Sequence, residues 1–197
     1  RDLVNWNNNF TWAKWVTPSR DLISAFKQEG DEVRFKESIV YYDCNWSNYY
    51  PSDNYPFMYK CRSANSSIIK YRYADVLLLK AEALIMQDTP DLEGAADIID
   101  EVRDRAKLGA LPTSVRSNKN VLLNALLKER RLELAFEGQR WFDLVRLDKV
   151  EEVMNAVYSK DSGRKAQIYT FDKNSYRLPI PQSVIDANDK IHQNPGY

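Results

Sequence analysis

The chain has 197 residues, 44% of them hydrophobic, and its 28 Lys and Arg balance 28 Asp and Glu. That is enough apolar material for a packed core, and zero net charge makes no electrostatic case for nucleic acid or an anionic membrane surface. No apolar run is long enough to span a bilayer, and residues 1–10 lack the basic start and apolar stretch of a signal peptide.

Residues 1–70 are loop-rich and aromatic-rich, whereas residues 71–197 carry helical periodicity and a tail. Ser19 is positioned to cap a short helix running through Phe26, with Gly30 beyond its end. Residues 37–42 read as a short strand, and residues 43–54 as a loop. A helix is expected over residues 71–87, where Ala74, Leu77, Leu78, Ala81 and Ile85 fall on one face. Thr89 reads as the cap of the next helix and Pro90 as its first residue. That helix carries Leu92, Ala95, Ala96, Ile99, Val102 and Ala106 on one stripe and closes at Gly109. Two helices joined so tightly must lie antiparallel, in the manner of a tetratricopeptide-like hairpin.

A third helix is expected over residues 119–137, with a break at Gly138, and helix resumes over 139–147 and 150–158. Residues 168–181 read as extended chain around a turn at Asp172-Lys173-Asn174-Ser175, with Pro179 and Pro181 enforcing extension. Ser183 is positioned to cap a last turn over 184–187. The expected fold class is mainly α, with helical hairpins, long irregular loops and a few short strands. No low-complexity segment or linker divides the chain.

Two groupings stand out. Glu129, Glu133 and Glu137 share a helix face at i,i+4 spacing, which suits metal ligation, acid–base chemistry or an ion-pair network. A di-iron site needs histidines on facing helices, and the single His192 cannot supply them. We therefore expect a structural network, with Arg130, Arg131, Arg140 and Arg146 as the candidate partners. No Ser/His/Asp set, phosphate loop or zinc spacing is present, so neither an enzyme nor a cofactor or metal is expected. Cys44 and Cys61 could pair or stay as separate thiols.

The second grouping is the loop. Between Tyr41 and Tyr59, eight aromatic residues alternate with Asp43, Asn45, Asn48, Asp53 and Asn54. Flat rings stack on the apolar faces of sugars, and amides read their hydroxyls. The candidate ligand-binding residues are Trp46, Tyr49, Tyr50, Asn45, Asn48 and Tyr55, with Trp46 as the stacking platform. In an extended loop, adjacent Tyr49 and Tyr50 point opposite ways and only one faces the sugar. Packing of the same rings beneath the helices is the plainer alternative.

Six segments resemble the SusD/RagB family of outer-membrane nutrient-binding lipoproteins. Residues 71–83, beginning Tyr71-Arg72-Tyr73-Ala74-Asp75, resemble its RYAEVLLMYAEA helix, and residues 101–108 its VRxRAGL segment, with Lys107 in the glycine region. Residues 129–146 are similar to its ERRxELAFEGxRWFDLxR signature. Residues 176–181 and 193–197 resemble its LxPIP and QNPGY tail, and residues 17–34 its PTxDLVxAF stretch. The resemblance implies a C-terminal SusD/RagB-type domain over residues 1–197, with the N-terminal helical half of the parent protein absent. It implies glycan capture at the cell surface and an oligo- or polysaccharide ligand. It further implies a SusC-like TonB-dependent transporter as partner, and a lipid anchor in the outer membrane supplied by chain outside this fragment. A helical protein–protein adaptor and, more remotely, a glycoside hydrolase are the competing readings.

Overall fold

The computed structural model describes residues 16–45, 47–60, 69–160 and 170–197. It is mainly helical, as the sequence predicts, and forms two compact units, residues 1–140 and 141–197. The change of texture near residue 70 falls inside the first unit.

The first unit begins with helix α1 (Arg20–Glu29). Ser19 caps it by accepting from the Leu22 amide, and Gly30 closes it at φ 69°, a left-handed conformation that glycine adopts without a Cβ penalty. Helix α2 (Glu32–Ser38) follows at once, and its last two residues take the place of the start of the strand expected over 37–42. Only Val33 and Phe35 are apolar there, so no helical period shows. What holds α2 is polar: Asp31 caps the Arg34 amide at 3.1 Å and takes the Arg34 Nε at 2.5 Å.

Strand β1 (Ile39–Tyr42) pairs antiparallel with β2 (Tyr55–Met58), in the register Ile39 to Met58 and Tyr42 to Tyr55. An isolated two-stranded ribbon is marginal in water. This one is buried along the whole of β2, and Pro56 is tolerated because β2 pairs on one side only.

Helices α3 (Tyr73–Met86) and α4 (Leu92–Arg105) form the expected hairpin. Asp91, not Thr89, caps α4, because its carboxylate accepts from the Gly94 amide at 2.9 Å. Helix α5 (Thr113–Arg116) is one turn, and α6 (Lys119–Glu133) then packs on both hairpin helices. Leu78, Ala81 and Ile85 of α3, Ala95, Ala96, Ile99 and Val102 of α4, and Leu122 and Leu126 of α6 form the main core. The alanines let the backbones approach closely.

Helix α4 ends in a Schellman motif, with the Lys107 amide on Asp104 O and the Leu108 amide on Arg103 O. Lys107 occupies the left-handed position at φ 62°. Helix α6 stops four residues before the expected end. Phe136 at φ 67° turns the chain so that its ring joins Ile23, Phe26, Ile39, Leu132 and Ala135, and packing overrides helical propensity.

The early stop leaves Glu133 and Glu137 at the end of α6, where they meet cations from distant elements. Glu133 is 2% exposed. It accepts from Arg34 at 3.0 Å, from Arg72 at 2.6 Å and from Arg105. Glu137 takes Arg72 through two bonds, at 2.8 and 2.9 Å, and Lys60. Glu129 takes Arg34 at 2.5 Å and Arg103 at 3.3 Å. The carboxylates are those the spacing singles out, but their cations are not. Arg131 instead pairs with Asp21 at 2.7 Å, Arg130 with Asp75 at 2.9 Å and Arg146 with Asp143 at 2.8 Å, and Arg140 donates to Leu127 O. Residues adjacent along a helix point away from one another, so the partners come from other elements.

Burial and pairing compete differently at two of these groups. Burial pushes Glu133 up, yet the Arg72 and Arg34 hydrogen bonds and the nearby charges outweigh it and hold the carboxyl below the usual glutamate range. At Glu129 burial wins over Arg34 and holds the carboxyl above that range.

The second unit holds most of α7 (Arg140–Arg146), then α8 (Val150–Lys160), a 3-10 turn (Lys173–Tyr176) and α9 (Gln182–Asp186). Pro181, not Ser183, is the residue before α9, and no side chain caps it. Pro179 and Pro181 lack amide donors, so the chain between them cannot join a sheet ladder. Side-chain amides do that work. Gln193 accepts from the Ile180 amide at 2.8 Å and donates to Ile180 O at 2.9 Å, and Asn194 donates to Leu178 O at 2.7 Å. The Tyr197 hydroxyl reaches Arg177 O at 3.1 Å. Gly196, at φ 94°, has no room for a side chain, because a Cβ would lie 2.7 Å from the Asn174 Cβ. The closing Gln-Asn-Pro-Gly-Tyr is therefore a clip on the preceding extended segment.

Two outcomes follow. Glu133→Ala removes the anion shared by buried Arg34 and partly buried Arg72 and should lower stability by about 3–5 kcal/mol, whereas Arg105→Ala, 60% exposed, should cost under about 1 kcal/mol. Urea denaturation of both variants checks the contrast, and equal losses would contradict it. Since the Glu133 carboxyl is lowered by folding, its contribution is complete above the unfolded glutamate range and is lost as pH falls through the folded value. Glu133→Gln should therefore flatten the acid limb of the stability profile. Separately, Lys107→Gly relieves a left-handed lysine and should raise stability by about 0.5–1 kcal/mol, read as a higher urea midpoint at unchanged slope.

Candidate functional site

The residues between β1 and β2 form a compact surface loop, residues 43–54, whose ends are brought together by the ribbon. Its shape comes from four tethers. The Cys44 amide donates to Ser52 O at 2.7 Å and closes the neck. The Tyr55 hydroxyl, at the start of β2, lies 2.9 Å from Ser47 Oγ and 3.3 Å from Thr17 Oγ1. The Tyr50 hydroxyl donates to Pro18 O at 2.8 Å, just before α1. From the first turn of α1, Arg20 reaches across and donates to Tyr49 O.

Arg20 also stacks on two rings. Its guanidinium carbon lies 4.3 Å from the centroids of both Tyr49 and Tyr50. The rings meet edge to face, 4.9 Å apart, and Tyr50 meets Tyr55 in the same way at 5.5 Å. Cys44, Tyr55 and Phe57 are buried at the base of the cluster, with Val40, Tyr42, Tyr49, Tyr50 and Tyr59 packed around them. Cys44 is a free thiol, and Cys61 lies outside the described residues.

Above this floor is an open concavity of about 870 Å³, lined by Arg20 and by loop residues from Cys44 to Ser52. Four of the residues singled out from sequence line it. Asn45 and Asn48 are exposed, and Tyr49 and Tyr50 are half-buried. Trp46 lies outside the described residues.

Two expectations need correction. Tyr55 is 3% exposed and lies under the loop as a support, because its ring fills the ribbon's core and its hydroxyl is already engaged. Tyr49 and Tyr50 do not diverge. The loop bends there, so both rings turn to the same cation. Arg20 is the residue that sequence reasoning missed: it stands almost thirty positions before the tyrosines, on a helix. The available signal was its place immediately after the Ser19 cap, which aims it away from the helix body.

A second, smaller concavity of about 280 Å³ sits over the ion-pair network, lined by Val33, Arg34, Glu37, Ser38, Lys60, Arg72, Arg105 and Glu133. Its Glu133 side chain is committed to structural cations.

Comparison with known proteins now fits this geometry. The model of the SusD family matches residues 58–197. The chain belongs to the SusD family. SusD-like protein P38 of Formosa agariphila is 43% identical over 99 residues, covering 47% of this chain and 19% of that protein. SusD-like protein P2 of the same organism is 36% identical over 143 residues, covering 69% of this chain and 27% of that protein. The chain thus spans only about a fifth to a quarter of the length of these curated relatives. The solved structure of a laminarin-binding SusD-like protein superposes with a TM-score of 0.57 at 29% identity, over 90% of this chain and 37% of that one. The family match begins at Met58, after the loop, so it covers the helical scaffold and not the concavity.

Tyr55→Phe tests the tethering. Losing the hydroxyl that Ser47 and Thr17 share should lower stability by about 1 kcal/mol. Amide exchange over residues 47–52 should speed up while α3 and α4 stay protected. Unchanged exchange in the loop would show that Tyr55 does not hold it.

Proposed function

We propose that this chain is the glycan-capturing part of a non-catalytic cell-surface protein. It holds an oligo- or polysaccharide in the concavity formed by residues 43–54 and Arg20, and delivers it to a SusC-like TonB-dependent transporter. A lipid anchor on chain outside these residues holds the parent protein on the outer membrane. The observation that carries the reading is the concavity itself, where exposed amides of Asn45 and Asn48 stand beside half-buried tyrosines. Amides pair with vicinal hydroxyls, while aromatic and aliphatic walls suit the apolar faces of a pyranose. Membership of the SusD family, and a neighbour that binds laminarin, support it. An open site of this kind binds weakly, with Kd in the micromolar to millimolar range, because screened contacts each contribute little. Weak capture suits a protein that must release its ligand to a transporter.

The carboxylates that could serve a hydrolase, Glu129, Glu133 and Glu137, are tied into ion pairs. We assign them to structure.

The test is calorimetric titration with a panel of neutral and acidic glycans, with reducing-end release measured in parallel. At least one glycan should bind, without turnover, and Asn48→Ala should weaken it about fivefold, one hydrogen bond's worth. Trp46→Ala belongs in the same series, since Trp46 enters this proposal from the sequence alone. No binding across the panel, or turnover abolished by changing one carboxylate, would overturn the reading.

A further inference from the structure

We draw no further inference here: the strongest candidate, the apolar stripe of Tyr73, Val76 and Met86 exposed along the outer face of α3, carries nothing because nothing in the structure shows what covers it.

Discussion

A carboxylate removed from water must be surrounded by cations and hydrogen-bond donors, and Glu133 meets that requirement with arginines from three separate places in the chain. Arg34 comes from α2, Arg72 from the residue before α3 and Arg105 from the last turn of α4, while Lys60, just beyond β2, donates to the Glu133 backbone carbonyl at 2.8 Å. Each of these elements is short or apolar on one side only. None would be placed so closely by hydrophobic contact alone. Unsatisfied, the same buried charge would be strongly destabilising, so the geometry of these three helices is coupled to one side chain. Arg72 doubles the constraint, since it serves Glu133 and Glu137 together and also donates to the Glu133 carbonyl at 2.7 Å.

That constraint reaches the loop through the ribbon. Lys60 is held to Glu133 and Glu137, and the Tyr59 and Lys60 amides turn back onto Ser38 O at the end of α2. The exit of β2 and the entry of β1 are thereby fixed against the helical scaffold. The intervening loop must close over that fixed span, and Phe57, Tyr55 and Cys44 fill the space beneath it. A long loop on a rigid base loses less entropy on binding than a free one, because its backbone is already ordered.

Much of the scaffold is legible in the sequence because it depends on local rules. Ser19 and Gly30 bracket α1 as capping chemistry requires, and the apolar stripe of residues 74–85 announces α3. The misreadings share a cause, which is tertiary override. Helix α2 exists because Asp31 and Arg34 lock together and onto Glu129 and Glu133, some hundred residues away. Helix α6 stops early because Phe136 has a better place in the second apolar cluster. Thr89 and Asp91 are both acceptable caps in isolation, and only the fold decides for Asp91. In the site, composition was enough to mark the loop and its amides. It could not show that Tyr55 is a pillar, or that a cation from α1 lies across the two tyrosine faces.

The segments with the strongest family likeness have structural occupations. The charged run from Glu129 to Glu137 is consumed by the ion-pair network, Arg72 and Asp75 by the same helix junctions, and Gln193 to Tyr197 by the clip on the extended tail. A side chain held by several buried partners cannot also adapt to a ligand without losing them. Residues 43–54 differ, since their tethers run through a few backbone carbonyls and the hydroxyls of Tyr50 and Tyr55, leaving Asn45 and Asn48 outward. Such a loop can change its outward residues while the neck and floor persist. A scaffold of this construction separates the residues that determine folding from those left open at the surface of the concavity, so the outward side chains can vary without cost to the core.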